Sequence, residues 1–210
     1  MSKLKPGKAA ASVAPVASAE GEAADGRLLR GERSRQQIVD ALLKLIRSGE
    51  MSPSAAQVAQ AANVSLRTVF RHFEEMDSLR MEMTAQMEAE IRPILQEPFD
   101  APDWRGRLGQ LIARRARIYE HVMPVKVAAS LRRFQSAYLR KDYDRFLTLE
   151  RAGLHTVLPK AVISDVVLFS AIEMATSFQA WRRMRQDQGL SAAEAERVLR
   201  YTVDRLIADQ

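Results

Sequence analysis

The sequence predicts an all-α chain, with a small N-terminal three-helix domain followed by a larger helical one. Three observations carry this. Apolar residues recur at i, i+3, i+4, i+7 through most of residues 30–206, and nowhere do apolar and polar residues alternate as in a strand. The pattern breaks at helix-stopping residues: Ser48-Gly49, Asn63, Pro93, Pro159 and Gly189. Hydrophobic residues make up 47% of the 210, enough for a real core.

Composition bounds the function. The absence of cysteine excludes disulfides and thiolate metal sites and fits a reducing, cytoplasmic setting. The richest apolar run, Ala161–Trp181, carries Asp165 and Glu173, so no membrane span is expected. A net charge of +6 permits a polyanionic partner. The excess divides evenly between residues 1–80 and 81–210, so a nucleic-acid reading must rest on local pattern.

Residues 1–28 are rich in Ala, Ser, Gly and Pro without apolar periodicity, and read as a disordered tail. They lack the Leu-rich block of a signal peptide. Lys3, Lys5 and Lys8 make the front basic, as in arms that touch a minor groove. The first helix is expected from about Arg30 to Arg47, with Ile38, Ala41, Leu42, Leu45 and Ile46 as its core stripe.

Ser52–Phe73 reads as two short helices joined by a tight turn. Ser52 suits an N-cap and Pro53 the first helical position. Ala55, Val58, Ala59 and Ala62 form one small apolar face, and Asn63 tolerates the left-handed turn. Ser65 caps the second helix, whose Val69 and Phe73 pack back with Val64. Leu66, Arg67, Phe70 and Arg71 form an outward stripe, and the whole stretch holds no acid. A helix-turn-helix needs such a face to enter a major groove. Arg67 and Arg71 suit guanine edges or phosphates, against the plainer reading of a solvated face. Ser54 and Thr68 suit phosphate at helix N-termini, or simple capping.

From Glu75 a helix carries Met76, Leu79, Met83, Met87 and Ile91 on one face, until Pro93 disturbs it. Four of the nine methionines, Met76, Met81, Met83 and Met87, lie here, and methionine repacks easily in a helix that shifts. An ordinary core explains them equally well. Asp103 caps a helix with Leu108, Leu111, Ile112, Tyr119 and Val122, which Pro124 interrupts. Lys126–Val157 is helical with a bend near Gln135. A helix over 162–186 is apolar around most of its circumference, so burial on several sides is expected. Ser191 and Glu194 form a capping box for the last helix, with Ala195, Val198, Leu199, Thr202 and Leu206 on one face. The domains therefore read as 29–75 and 76–210.

Met87, Tyr119, Phe134, Tyr138, Met174, Phe178 and Trp181 are the candidate lining of a mainly apolar pocket, with Glu173 or Gln179 orienting a ligand. A carboxylate on so apolar a helix needs a partner, a proton or a ligand donor; an arginine from a neighbouring helix is the plain alternative for Glu173. The three histidines, 72, 121 and 155, show no metal-ligand clustering. No Ser/His/acid spacing, phosphate loop or Gly-rich nucleotide motif appears, so no cofactor, metal or catalytic residue is expected. A small all-helical enzyme is the weaker alternative.

Arg35-Gln-Gln-Ile38, Val58-Ala59-Gln-Ala-Ala62-Asn63-Val64-Ser65, Thr68-Val69-Phe70-Arg71-His72-Phe73 and Met76-Asp77-Ser78-Leu79 together resemble the N-terminal domain of the bacterial tetracycline-repressor (TetR) family of transcriptional regulators. The match covers roughly residues 33–79. Three positions depart: Asn63 stands for the turn glycine, Phe70 for the more frequent Tyr, and Met76 for a common phosphate-contacting Lys. The resemblance implies a cytoplasmic repressor that binds double-stranded DNA at a near-palindromic operator. Its DNA-binding set would be Arg35, Ser54, Ser65, Leu66, Arg67, Thr68, Phe70, Arg71 and His72, with His72 as a phosphate donor or a wedge beside Phe73. It further implies a homodimer through the helices near 162–186 and 191–208. That region carries more apolar surface than one subunit needs to cover it. A small hydrophobic effector would move the helix after the helix-turn-helix and release DNA. A ligand-independent or architectural DNA-binding module is the alternative.

Overall fold

The computed structural model describes residues 18–210, with side chains from Leu28 onward. Among these the secondary structure is helical, without strands: α1 (Ser18–Arg47), α2 (Ala55–Ala61), α3 (Leu66–His72), α4 (Met76–Leu95), α5 (Trp104–Arg132), α6 (Ala137–Val157), α7 (Lys160–Ser164), α8 (Val166–Ala175), α9 (Phe178–Arg182) and α10 (Ala192–Leu206). A 3-10 turn, Arg133–Gln135, joins α5 to α6, and a π-helical turn, Arg183–Asp187, continues α9.

α1 starts at Ser18, so residues 18–28 extend the first helix and are not part of a tail. Three Ala and two Glu favour the helix here against Gly21 and Gly26, and they extend a helix already anchored by buried Ile38, Val39, Leu42, Leu43 and Ile46. The remainder of the expected tail, with Lys3, Lys5 and Lys8, lies outside the described residues.

α1 packs on α2, α3 and α4 to form the N-terminal unit. α4 leaves that unit and lies along α5, the axis of the larger body, which also touches α1, α6, α9 and α10. Pro124 sits inside α5 without ending it. A proline removes one helical hydrogen bond, and burial of Val122, Val125 and Ala128 around it holds the helix. The bend near Gln135 is present as the 3-10 turn.

The expected single helix over 162–186 is instead α7, α8, α9 and the π turn. Two short polar side chains make the breaks. Asp165, in extended conformation, accepts from Val167 and Leu168 N–H, both at 3.0 Å. Ser177 does the same for the Ala180 N–H at 3.2 Å. Such side chains offer the backbone a cap in place of the next helical bond. Nor is this region buried all round: Val166, Val167 and Met174 on α8 are 75%, 81% and 71% exposed.

Candidate nucleic-acid interface and an internal cavity

α2 opens with a capping box. The Ser54 hydroxyl accepts from the Gln57 N–H at 3.3 Å, and the Gln57 side chain accepts from the Ser54 N–H at 2.8 Å. The N-cap is thus Ser54, two residues later than Ser52, because Gln57 supplies the reciprocal bond. Asn63 takes the left-handed conformation with φ 52°, and Val64 N–H returns to the Ala59 carbonyl at 3.0 Å. Ser65 caps α3 by accepting from the Thr68 N–H at 3.1 Å, and the two hydroxyls bond each other at 2.9 Å. The hydroxyls of Ser54, Ser65 and Thr68 are therefore engaged in capping.

Val69 and Phe73 turn inward against Val58, Ala59 and α1, which leaves Leu66, Arg67, Phe70 and Arg71 exposed on one face of α3. That face carries two guanidiniums and two apolar groups, the pairing that reads guanine edges and thymine methyls in a major groove.

Arg35 is placed elsewhere. Its Nε donates to Glu82 at 2.9 Å, its Nη1 to the His72 carbonyl at 2.6 Å, and its guanidinium lies 4.3 Å from the Phe73 ring centre. It clamps the end of α3 to α1 and α4. His72 is half-buried and its Nε2 is enclosed without a partner, so the ring is wedged beside Phe73. Burial first, then the charges of Arg71 and Arg35, push its imidazole below the ordinary value, with Glu82 opposing. The enclosure therefore favours the neutral imidazole.

At the other end of α4 a cavity of about 680 Å³ opens between α4, α5 and α6. Met87, Ile91, Leu95, Leu111, Ile118, Val122, Phe146 and Leu149 give it apolar walls, and Arg114, Arg115, Tyr119 and Glu150 its main polar groups. Of the residues expected to line a pocket, Met87 and Tyr119 do so here. Phe178 and Trp181 are buried behind Tyr119, at ring separations of 5.6 and 6.3 Å. Phe178 and Gln179 instead border a smaller hollow of about 180 Å³. Phe134 and Met174 point to solvent, and Tyr138 is half-buried away from the cavity. Glu173 pairs with Arg151 at 2.6 Å, the plain alternative for that carboxylate. The sequence signal for the true lining was Arg114 and Arg115, two cations set inside the apolar stripe of α5.

Arg115, Tyr119, Glu150 and Thr176 form a buried network. Arg115 Nη1 donates to the Thr176 carbonyl at 3.0 Å and hydroxyl at 2.6 Å, and its Nη2 donates to the Glu150 carbonyl. The Glu150 carboxyl accepts from Tyr119 O–H and, at 2.8 Å, from Phe178 N–H. Burial pushes the Glu150 carboxyl above its ordinary range, against these hydrogen bonds and the Arg115 charge. A raised folded pKa means that the native state holds the proton more tightly than the unfolded chain. The resulting stability is complete below the unfolded pKa and is lost as pH rises through the folded one. Glu150→Gln keeps both acceptor bonds and removes the titration. Its melting temperature should therefore gain on wild type as pH is raised from about 4 to about 7. A difference that stays constant over that range would contradict the assignment.

A polar joint ties the cavity helices to α1. Arg47 of α1 and His121 of α5 both meet Glu90 Oε2 of α4, at 2.8 and 2.7 Å. Burial of Glu90 works against ionisation, but the Arg47 and His121 hydrogen bonds hold its carboxyl below the usual range. Among the described residues no group of three or more His, Asp or Glu side chains could hold a metal.

The fold is similar to the crystal structure of a transcriptional regulator from Rhodococcus sp. Rha1. The TM-score is 0.65 at 20% identity, over 83% of this chain and 96% of that one. No family model matches the sequence, and no curated protein matches it.

Proposed function

We propose that the chain is a DNA-binding transcriptional regulator of the tetracycline-repressor type. It acts as a homodimer on a near-palindromic operator, as a repressor released by a small hydrophobic effector in the α4–α6 cavity. The observation that carries the reading is the exposed, acid-free face of α3, with Leu66, Arg67, Phe70 and Arg71 presented by a capped helix-turn-helix. Likeness in fold to a transcriptional regulator supports it. The interface set narrows to that face, since Arg35 and His72 are committed to holding α3 in place. The reading divides the chain into a DNA-binding unit (29–75) and an effector and dimerisation unit (76–210), with α4 reaching from one toward the other. Among the described residues no helix is long and apolar enough to cross a membrane.

The cavity favours regulation by effector over a ligand-independent module. α4 carries Leu79 and Met83 into the core beside α1, and Met87 and Ile91 into the cavity wall. A ligand that prefers one position of α4 shifts the equilibrium by its difference in affinity for the two states, and operator DNA weakens that ligand reciprocally.

The test is operator binding after selection of a duplex from a random pool. Affinity should fall steeply with salt as counterions are released. Arg67→Ala and Arg71→Ala should each cost about 1–3 kcal/mol if the arginine pairs bidentately with a guanine. If both variants hold the selected site as tightly as wild type, the assignment of α3 fails.

A further inference from the structure

We infer that the occupant of the α4–α6 cavity is an apolar molecule bearing a single carboxylate, anchored by Arg114. The inference rests on the reading of that cavity as an effector site and adds the chemical class of the effector.

Arg114 lines the cavity and is only 8% exposed. Its Nη1 donates to the Leu95 carbonyl at 3.4 Å and its Nη2 to the Glu97 carbonyl. The guanidinium stacks 3.9 Å from the centre of the Phe99 ring. Its Nε is buried with no partner at all. The nearby Glu97 carboxylate acts on it only through space and is shared, because Arg117 takes both of those oxygens, Oε1 at 2.9 Å. The result is a buried, permanently charged group whose hydrogen bonds go only to carbonyls, with its Nε–H and one N–H on each terminal nitrogen unspent. Such a charge is costly unless an anion compensates it.

The other cations of the wall are already satisfied. Arg145 pairs with Glu88 and, at 3.1 Å, with Asp142; Lys126 pairs with Asp142 at 2.9 Å. Arg115 is spent on Thr176 and the Glu150 carbonyl, and it stands beside the Glu150 carboxyl. Arg92 is exposed and solvated. One cation without an ion-pair partner of its own suits a monoanion, whereas a phosphate dianion would bring a second charge with no cation left to meet it. The rest of the wall, including Met87, Ile91, Leu111 and Ile118, demands an apolar body, and a volume of about 680 Å³ lies within the usual range for small-molecule sites. A cationic ligand would face Arg114 and Arg115, and the wall's carboxyls are already engaged: Glu88 by Arg145, Glu97 by Arg117, and Glu150 by Tyr119 and the Phe178 N–H.

Three ten-carbon probes separate the possibilities: decanoate, decanol and decylamine, each titrated into the full chain by calorimetry. Decanoate should bind roughly ten- to hundredfold tighter than decanol, the range of a charge-assisted hydrogen bond, and decylamine more weakly still. Arg114→Met should remove that preference while leaving decanol affinity unchanged. Should that variant not fold, Arg114→Lys, which keeps the charge but loses the planar fork, should retain only part of the preference. If decanol binds wild type as well as decanoate does, or if Arg114→Met binds decanoate normally, the carboxylate anchor is overturned and the effector cavity survives. If none of the three binds wild type, the effector cavity falls and the anchor with it.

Discussion

Val167→Glu should turn the protein into a monomer and abolish binding to a palindromic operator. Val167 is the most exposed large apolar residue of α8. Val166 and Met174 on the same helix extend the surface, and Val198 and Tyr201 on α10, which packs beside it, continue the surface. This patch is proposed to meet its own copy across a two-fold axis. The substitution then enters the interface twice, and each uncompensated buried charge costs roughly 3–5 kcal/mol, so dimer dissociation should rise about ten-thousandfold or more. Without the dimer, the two copies of α3 lose their fixed separation of roughly 34–36 Å, one helical turn of DNA, and only weak half-site binding remains. Sedimentation equilibrium and gel retardation measure the two effects, with Val167→Leu as the control that keeps an apolar surface. A wild-type monomer at micromolar concentration, or a Val167→Glu variant that still dimerises, would refute the proposed interface.

Trp181→Ala should cost about 3–5 kcal/mol of stability, a large part of the roughly 5–15 kcal/mol that holds a domain folded. Trp181 is fully buried, and its indole Nε1 donates to Glu120 at 2.8 Å. Glu120 also receives both Nε and Nη2 of Arg185, at 2.7 and 3.0 Å, so the indole closes a charged bridge between α5 and the π turn. Truncation removes the ring from its place beside Tyr119, leaves a cavity behind that residue, and strips one donor from Glu120. Trp181→Phe keeps most of the volume and should cost distinctly less. Denaturant unfolding at fixed protein concentration reads both, since the proposed dimer would add to apparent stability. A loss below about 1 kcal/mol for the alanine variant would mean that this core collapses around the gap.

Trp181 also shows where the residues alone stop being informative. On an apolar helix a tryptophan has the same pattern whether it lines a cavity or fills a core. Which one it does depends on Glu120, 61 positions away, and on Tyr119 standing between it and the cavity. Arg35 is similar. Its place on the first helix matched a DNA-binding pattern, but its partners His72 and Glu82 lie 37 and 47 positions on, and they turn it into a clamp.

What the sequence determined by itself is the part governed by interactions over a few residues. The all-helical class follows from apolar period, and the helix-turn-helix from Asn63 in the turn, the Ser65 cap and an acid-free stripe that emerges exposed. Hydrogen bonds between near neighbours decide these, so they are written locally. Only the tertiary structure decided that one face of α8 is left uncovered, and that the cavity lies between α4, α5 and α6 with Arg114 in its wall. A cavity is the space that packed helices leave unfilled. It depends on which faces meet across long stretches of chain, a balance of packing that no local spacing records.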